Sequence, residues 1–331
     1  MYVFRLLILF LSFFTLLYAY EPKNPPIAQK RYTFCIDQRC ASLPYNSNYS
    51  LEKKNNDITR LIVAIHSSSH NADAYFQNTL NLAHELHKEN SSLIIAPQFL
   101  SRSLIDSPAQ ANYLCWNTYP FLGSSKAVYK NQKIQLSAFE ILDTLLYEVT
   151  DRGNFSNLKD IIIFGHSAGG QFVNRYAAFS RFKKNALNVR YVVMAPSSYL
   201  YFNAQRPLGK TEHTPQKRYN SWGYGLQELY LVHKKYNVTP KTMQKQYFHS
   251  KVIYLVGSLD TNTKDTSLSK KQAAAMQGSN RVQRAQFYKE HLQQHFSKEI
   301  LKRHKFFIIH GVAHTSKGLI YSQEGKKALF F

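Results

Sequence analysis

The chain has 331 residues, 44% hydrophobic and only 19% charged, enough apolar content to bury a large core and too much for intrinsic disorder. Lysine and arginine number 42 against 20 aspartates and glutamates, a formal net charge of +22. That charge can draw the protein to anionic surfaces. The basic residues are scattered, with nothing longer than pairs such as Lys183-Lys184, and no nucleic-acid-binding motif interleaves them, so nucleic acid is not the expected partner.

Within residues 1–19, Arg5 precedes a dozen-residue, mainly apolar run from Leu6 to Leu17, and the stretch ends on Ala19. A basic start, a short apolar stretch and a small residue describe a secretory signal peptide, and the stretch falls short of the roughly 20 residues a bilayer span needs. A secreted or periplasmic location follows as an expectation, with residues 20–331 as one α/β domain. From Glu21 to Lys30 the chain is polar and proline-rich, a linker, and Arg31 to Ser50 holds candidate edge strands. In an oxidising compartment two of Cys35, Cys40 and Cys115 would pair. Cys35 and Cys40 are near enough to close a small loop, and Cys115 is an alternative partner for either.

Thr59–His66 is a buried strand by its run of apolar residues, followed by the polar turn Ser67-Ser68-Ser69-His70-Asn71 and an amphipathic helix from Ala72 to about His87. Leu93–Pro97 is the next strand. Leu100 to Lys133 lacks periodicity and is long enough to line a substrate entrance. Ser137 and Glu140 form a capping box that starts a helix running to about Asp151. Asp160–Phe164 is then a fully buried strand, and it runs into Gly165-His166-Ser167-Ala168-Gly169 and a helical segment to Phe179. Val189–Pro196, Lys251–Gly257 and Lys305–His310 are further strands. Residues 201–250, rich in Tyr, Lys and Gln, break the alternation, and Ser267–Leu301 is mostly helical with an interruption near Gly278. His291 and His295 lie four apart on that helix, but Leu292 stands where a zinc-binding HExxH pattern needs glutamate, which predicts a solvated helix face.

At the Gly-X-Ser-X-Gly turn the sequence resembles the α/β-hydrolase family. The resemblance implies a mainly parallel sheet with helices on both faces and a cap-like insertion, here residues 201–250 as a lid. It also implies a nucleophile elbow at Ser167, followed in chain order by an acid and a histidine at later strand ends. Asp260, after Lys251–Gly257, is preferred to Asp265. His314, in the loop Gly311-Val312-Ala313-His314, is preferred to His310. The Ala168 and Ser68 backbone N–H groups are the implied oxyanion donors, with Ser67 standing where family members usually carry glycine. A serine hydrolase acting on a small-molecule or polymeric carboxylic ester, without metal or organic cofactor, is the leading expectation. Amide hydrolysis and acyl transfer would use the same groups. A non-catalytic exported protein of the same fold, holding an anionic ligand, is the rival reading, and Ser67 is its best support.

Overall fold

The computed structural model describes residues 25–36, 39–105, 112–116, 126–129, 132–208 and 219–331. The expected signal peptide lies outside the described residues. Twelve strands are present among the described residues: β1 (Lys30–Ile36), β2 (Arg39–Ser47), β3 (Arg60–Ile65), β4 (Ser92–Pro97), β5 (Leu100–Ser101), β6 (Cys115–Trp116), β7 (Lys126–Tyr129), β8 (Gln132–Ser137), β9 (Asp160–His166), β10 (Asn188–Met194), β11 (Lys251–Gly257) and β12 (His304–Ile309). Eight of them form one sheet in the order β1-β2-β4-β3-β9-β10-β11-β12. β2 is antiparallel to both its neighbours, and every pairing from β4 across to β12 is parallel. Strands with helices on both faces must be apolar on both sides. Leu61 to Ile65, Leu93 to Ala96 and Ile161 to Phe164 accordingly have no exposed surface at all.

Seven helices carry the packing described below: α1 (Ala72–Glu85), α2 (Ala138–Asp151), α3 (Ala168–Phe179), α4 (Pro240–His249), α5 (Arg281–Phe296), α6 (Ser316–Tyr321) and α7 (Gln323–Phe330). α1, α6 and α7 cover one face, where the Tyr321 hydroxyl donates to the Asn78 carbonyl and Lys326 pairs with Glu85. α2, α3, α4 and α5 cover the other. There Phe139 of α2 packs edge-on to Phe172 of α3, and Asn174 of α3 donates to the Tyr247 hydroxyl of α4. The Ser137 box forms as expected, its hydroxyl accepting from Glu140 N at 3.2 Å while Glu140 Oε2 accepts from Ser137 N at 2.7 Å.

Three regions differ from, or add to, what the pattern predicts. The stretch after Leu100 is not wholly irregular: β5 to β8 form a second, four-stranded sheet. Two of these strands are two residues long, too short to show a period of two in sequence. His291 is not solvated, because it is buried and its Nε2 accepts the Phe202 N–H at 3.0 Å. Helix α5 lies under residues 199–202 there, so a face that reads as polar is a core face built on histidine and arginine. Beyond Thr315 the chain forms α6 and α7.

The cysteines resolve as a Cys35–Cys40 disulfide, the two residues facing each other across the β1–β2 register, while Cys115 is a buried thiol. Among the described residues no helix is long and apolar enough to cross a membrane. In 201–250 several described residues pack inward. Trp222 and Tyr247 are buried, and Arg175 of α3 donates through Nε to the Gly223 carbonyl at 2.9 Å.

Candidate active site

Ser167 sits where β9 ends and α3 begins, with φ 56° and ψ −116°. Positive φ costs a non-glycine residue energy, and such strain persists only where the surroundings fix it. They do so here. Ser167 N donates to the Met194 carbonyl of β10 at 2.9 Å. A Cβ on Gly165 would lie 2.4 Å from the Gly169 carbonyl, and one on Gly169 would lie 2.3 Å from the Ile65 carbonyl of β3. Both glycines are therefore required by contact: helix α3 starts hard against the ends of β3 and β9. No side chain caps the helix, so its first-turn N–H groups, Ala168 among them, keep their positive dipole end beside the Ser167 hydroxyl.

The neighbouring loop, after β3, holds Ser67 and Ser68. Its one residue at positive φ is His70 (59°), where the turn closes through His70 N to the Ser67 carbonyl at 3.1 Å. Serine at positions 67 and 68 therefore meets no left-handed backbone, which removes the conformational objection to a missing glycine. Ser68 is exposed and Ser67 buried. The loop is held from below by His66, whose Nδ1 donates to the Ser67 carbonyl at 2.7 Å and whose Nε2 accepts the Phe99 N–H at 3.0 Å. Burial, helped by neighbouring His70, pushes the His66 imidazole down to about 3, so it stays neutral.

The loops after β11 and β12 are stitched to each other. Leu259 N donates to the Val312 carbonyl at 2.9 Å, and Gly311 N donates to Ser258 Oγ at 3.0 Å. Gly257 is needed at this seam, since a Cβ would fall 2.1 Å from the Val312 carbonyl. The result is that Asp260 Oδ2 accepts from His314 Nδ1 at 2.7 Å. Asp260 is buried and His314 partly so. A histidine whose Nδ1 is so engaged carries its lone pair on Nε2, the nitrogen able to accept a proton. The His314 ring lies 4.4 Å, centroid to centroid, from that of His166, next to Ser167 in the chain. His314 and the Ser167 hydroxyl are not hydrogen-bonded to each other among the described residues. Such pairs are commonly loose before substrate arrives.

Neither alternative makes the Asp260–His314 bond. His310 is exposed at the end of β12. Asp265 accepts from Arg281 Nη1 at 2.7 Å. Two groups support the site without a signal that sequence reading could use. Arg281, at the start of α5, is fully buried, and its Nη1 reaches Asp260 Oδ1 at 3.2 Å as well as Asp265. Burial raises the Asp265 carboxyl, but Arg281 and the Ser267 N–H and hydroxyl outweigh this and hold it at about 2. His166, inside the motif but unassigned, is buried against His314 and bonded through Nδ1 to the Tyr75 hydroxyl of α1 at 3.2 Å. Burial, with the charges of His314 and Arg281, holds His166 well below the usual imidazole range.

Strand order, the strained elbow and the paired loops at the last two strand ends define the α/β-hydrolase fold, and the chain has it. Solved structures that share this fold include one described as poly(aspartic acid) hydrolase-1 from Sphingomonas sp. KT-1, 20% identical, with a TM-score of 0.59 over 93% of this chain and 100% of that one. Another is LpqC, described as a poly(3-hydroxybutyrate) depolymerase, from Bordetella parapertussis, 16% identical, with a TM-score of 0.59 over 92% of this chain and 95% of that one. No protein-family model matches the sequence, and no curated protein matches it.

Proposed function

We propose that the protein is an exported serine hydrolase that cleaves carboxylic esters through an acyl-enzyme. The observation that carries the reading is the 2.7 Å bond from His314 Nδ1 to buried Asp260, with the imidazole seated beside the elbow. In this scheme the Ser167 hydroxyl gives its proton to His314 Nε2 as its oxygen attacks the acyl carbon. Asp260 holds the Nδ1–H tautomer and balances the imidazolium. The oxyanion is met by the Ala168 N–H at the start of α3, with the Ser68 N–H as second donor. His314 then returns the proton to the departing alkoxide, and water, deprotonated by the same nitrogen, releases the acid.

The preference for esters rests on the likeness to a poly(3-hydroxybutyrate) depolymerase, whose substrate is a polyester. Export is supported by the apolar leader pattern and by the Cys35–Cys40 disulfide, a bond that oxidising compartments favour. A fluorophosphonate probe tests the chemistry: labelling of wild type that is lost in Ser167→Ala supports the enzyme. Folded wild-type protein that takes no label refutes it and favours a non-catalytic binder. p-Nitrophenyl esters of graded chain length then define the acyl group.

A further inference from the structure

At the opposite end of the sheet, where β9 to β12 begin, lies an open groove of about 660 Å³. Five cations line it, Arg190, Lys251, Lys302, Arg303 and Lys305, against one side-chain carboxylate, Asp160. The sheet register explains the clustering. Arg190 of β10 stands directly across from Lys251 of β11, and Ile253, two residues on, stands across from Lys305 of β12. Arg303 is two residues before Lys305, so the period of two sets all four on one face of the sheet, with strands about 4.8 Å apart. Like charges opposite one another on neighbouring strands destabilise a sheet.

The countercharge the fold provides reaches only part of the cluster. Asp160 acts on Arg60, its partner across β3, and on Arg190, while Lys302 pairs with Glu299. Among the described residues Lys251, Arg303 and Lys305 have no ion-pair partner. A single carboxylate would leave most of this charge uncompensated, whereas a group with two or more negative charges matches it, and guanidinium forks suit phosphate oxygens. Val189, Ile253 and Phe331 give the groove an apolar wall.

We infer that this groove binds a phosphate-bearing anion, at a site separate from Ser167, Asp260 and His314, which follow the other ends of the strands. Inorganic pyrophosphate and vesicles of phosphatidylcholine with and without phosphatidylglycerol distinguish a soluble phosphate from a lipid headgroup. Calorimetry and vesicle co-sedimentation would be run on wild type, on Lys251→Glu/Arg303→Glu, and on a control, Lys53→Glu/Lys264→Glu, that removes the same charge elsewhere. The milder Lys251→Ala/Arg303→Ala pair covers any folding defect of the reversal. Binding in either arm that weakens about tenfold or more in both groove variants, and little in the control, supports the site and identifies its source. No binding in either arm, or an equal loss in control and groove variants, overturns it, since the charge would then act as a diffuse surface. Neither readout depends on hydrolysis, so the outcome is independent of the activity proposed for Ser167.

Discussion

Arg281 is the residue whose role is least visible in the sequence and plainest in the structure. Its buried guanidinium lies between Asp260 and Asp265, and without it two carboxylates would face each other with no cation between them. Removing one partner of a buried ion pair costs about 3–5 kcal/mol. Arg281→Met is expected to lower the unfolding free energy by that order and, if the proposed chemistry holds, to depress turnover of an ester substrate; a melt unchanged from wild type would contradict the first. Asp265 gives a separate, pH-dependent check. Its folded pKa lies below the unbound carboxylate value, so its stabilising contribution is complete above about pH 4 and disappears as pH falls toward about 2. Asp265→Asn should therefore narrow its stability gap to wild type over that interval, which acid titration of the unfolding midpoint measures. Ser167 and the glycines beside it were legible from the motif because contact geometry dictates residue type there. Arg281 was not, because a helix-start arginine becomes a buried bridge only when two distant loops fold onto it.

Among the elements, α2 shows how a local signal acquires a second role. Glu140 closes the capping box through Oε2, and its Oε1 accepts from Lys235 Nζ at 2.7 Å and from the Tyr236 hydroxyl at 2.6 Å. One carboxylate thus starts α2 and ties the 231–236 segment to it. Ser137→Ala should cost about 1 kcal/mol, the usual worth of an N-cap side chain. Glu140→Ala should cost more and also speed amide exchange in residues 231–236, which hydrogen–deuterium exchange would resolve. The buried strands were legible because a parallel sheet covered on both faces demands unbroken apolar runs. The small sheet of β5 to β8 was hidden by its short strands, and the polar-looking face of α5 by its buried Arg281, Arg284 and His291.

Across the whole molecule, histidine burial sets a pH limit. Burial is the largest cause that pushes His66 and His291 down to about 3 and His233 and His304 to about 4. Each is neutral when folded and would take a proton near its ordinary value of 6.5 when unfolded. Their contribution is fully present above about pH 6.5 and is lost as pH falls toward 4 and then 3. Buried Asp143, raised by desolvation, works in the opposite sense, but it is one group against these four and His166, which burial lowers in the same direction. Urea midpoints should drop between pH 7 and pH 4.5, and a flat profile would show that the histidines are not buried as neutral rings.

The seam between the loops that carry Asp260 and His314 has one more consequence. Main-chain bonds lock these loops to each other, while Ser167 is anchored to β10 and α3. Asp260 and His314 are therefore tied into one unit, and under the proposed scheme a shift at the mouth of the site would change the gap from His314 to Ser167 before it disturbed the Asp260–His314 bond. If the proposed chemistry holds, a mutation that loosens β11 against β10 would slow acylation while leaving the His314 imidazole held by Asp260.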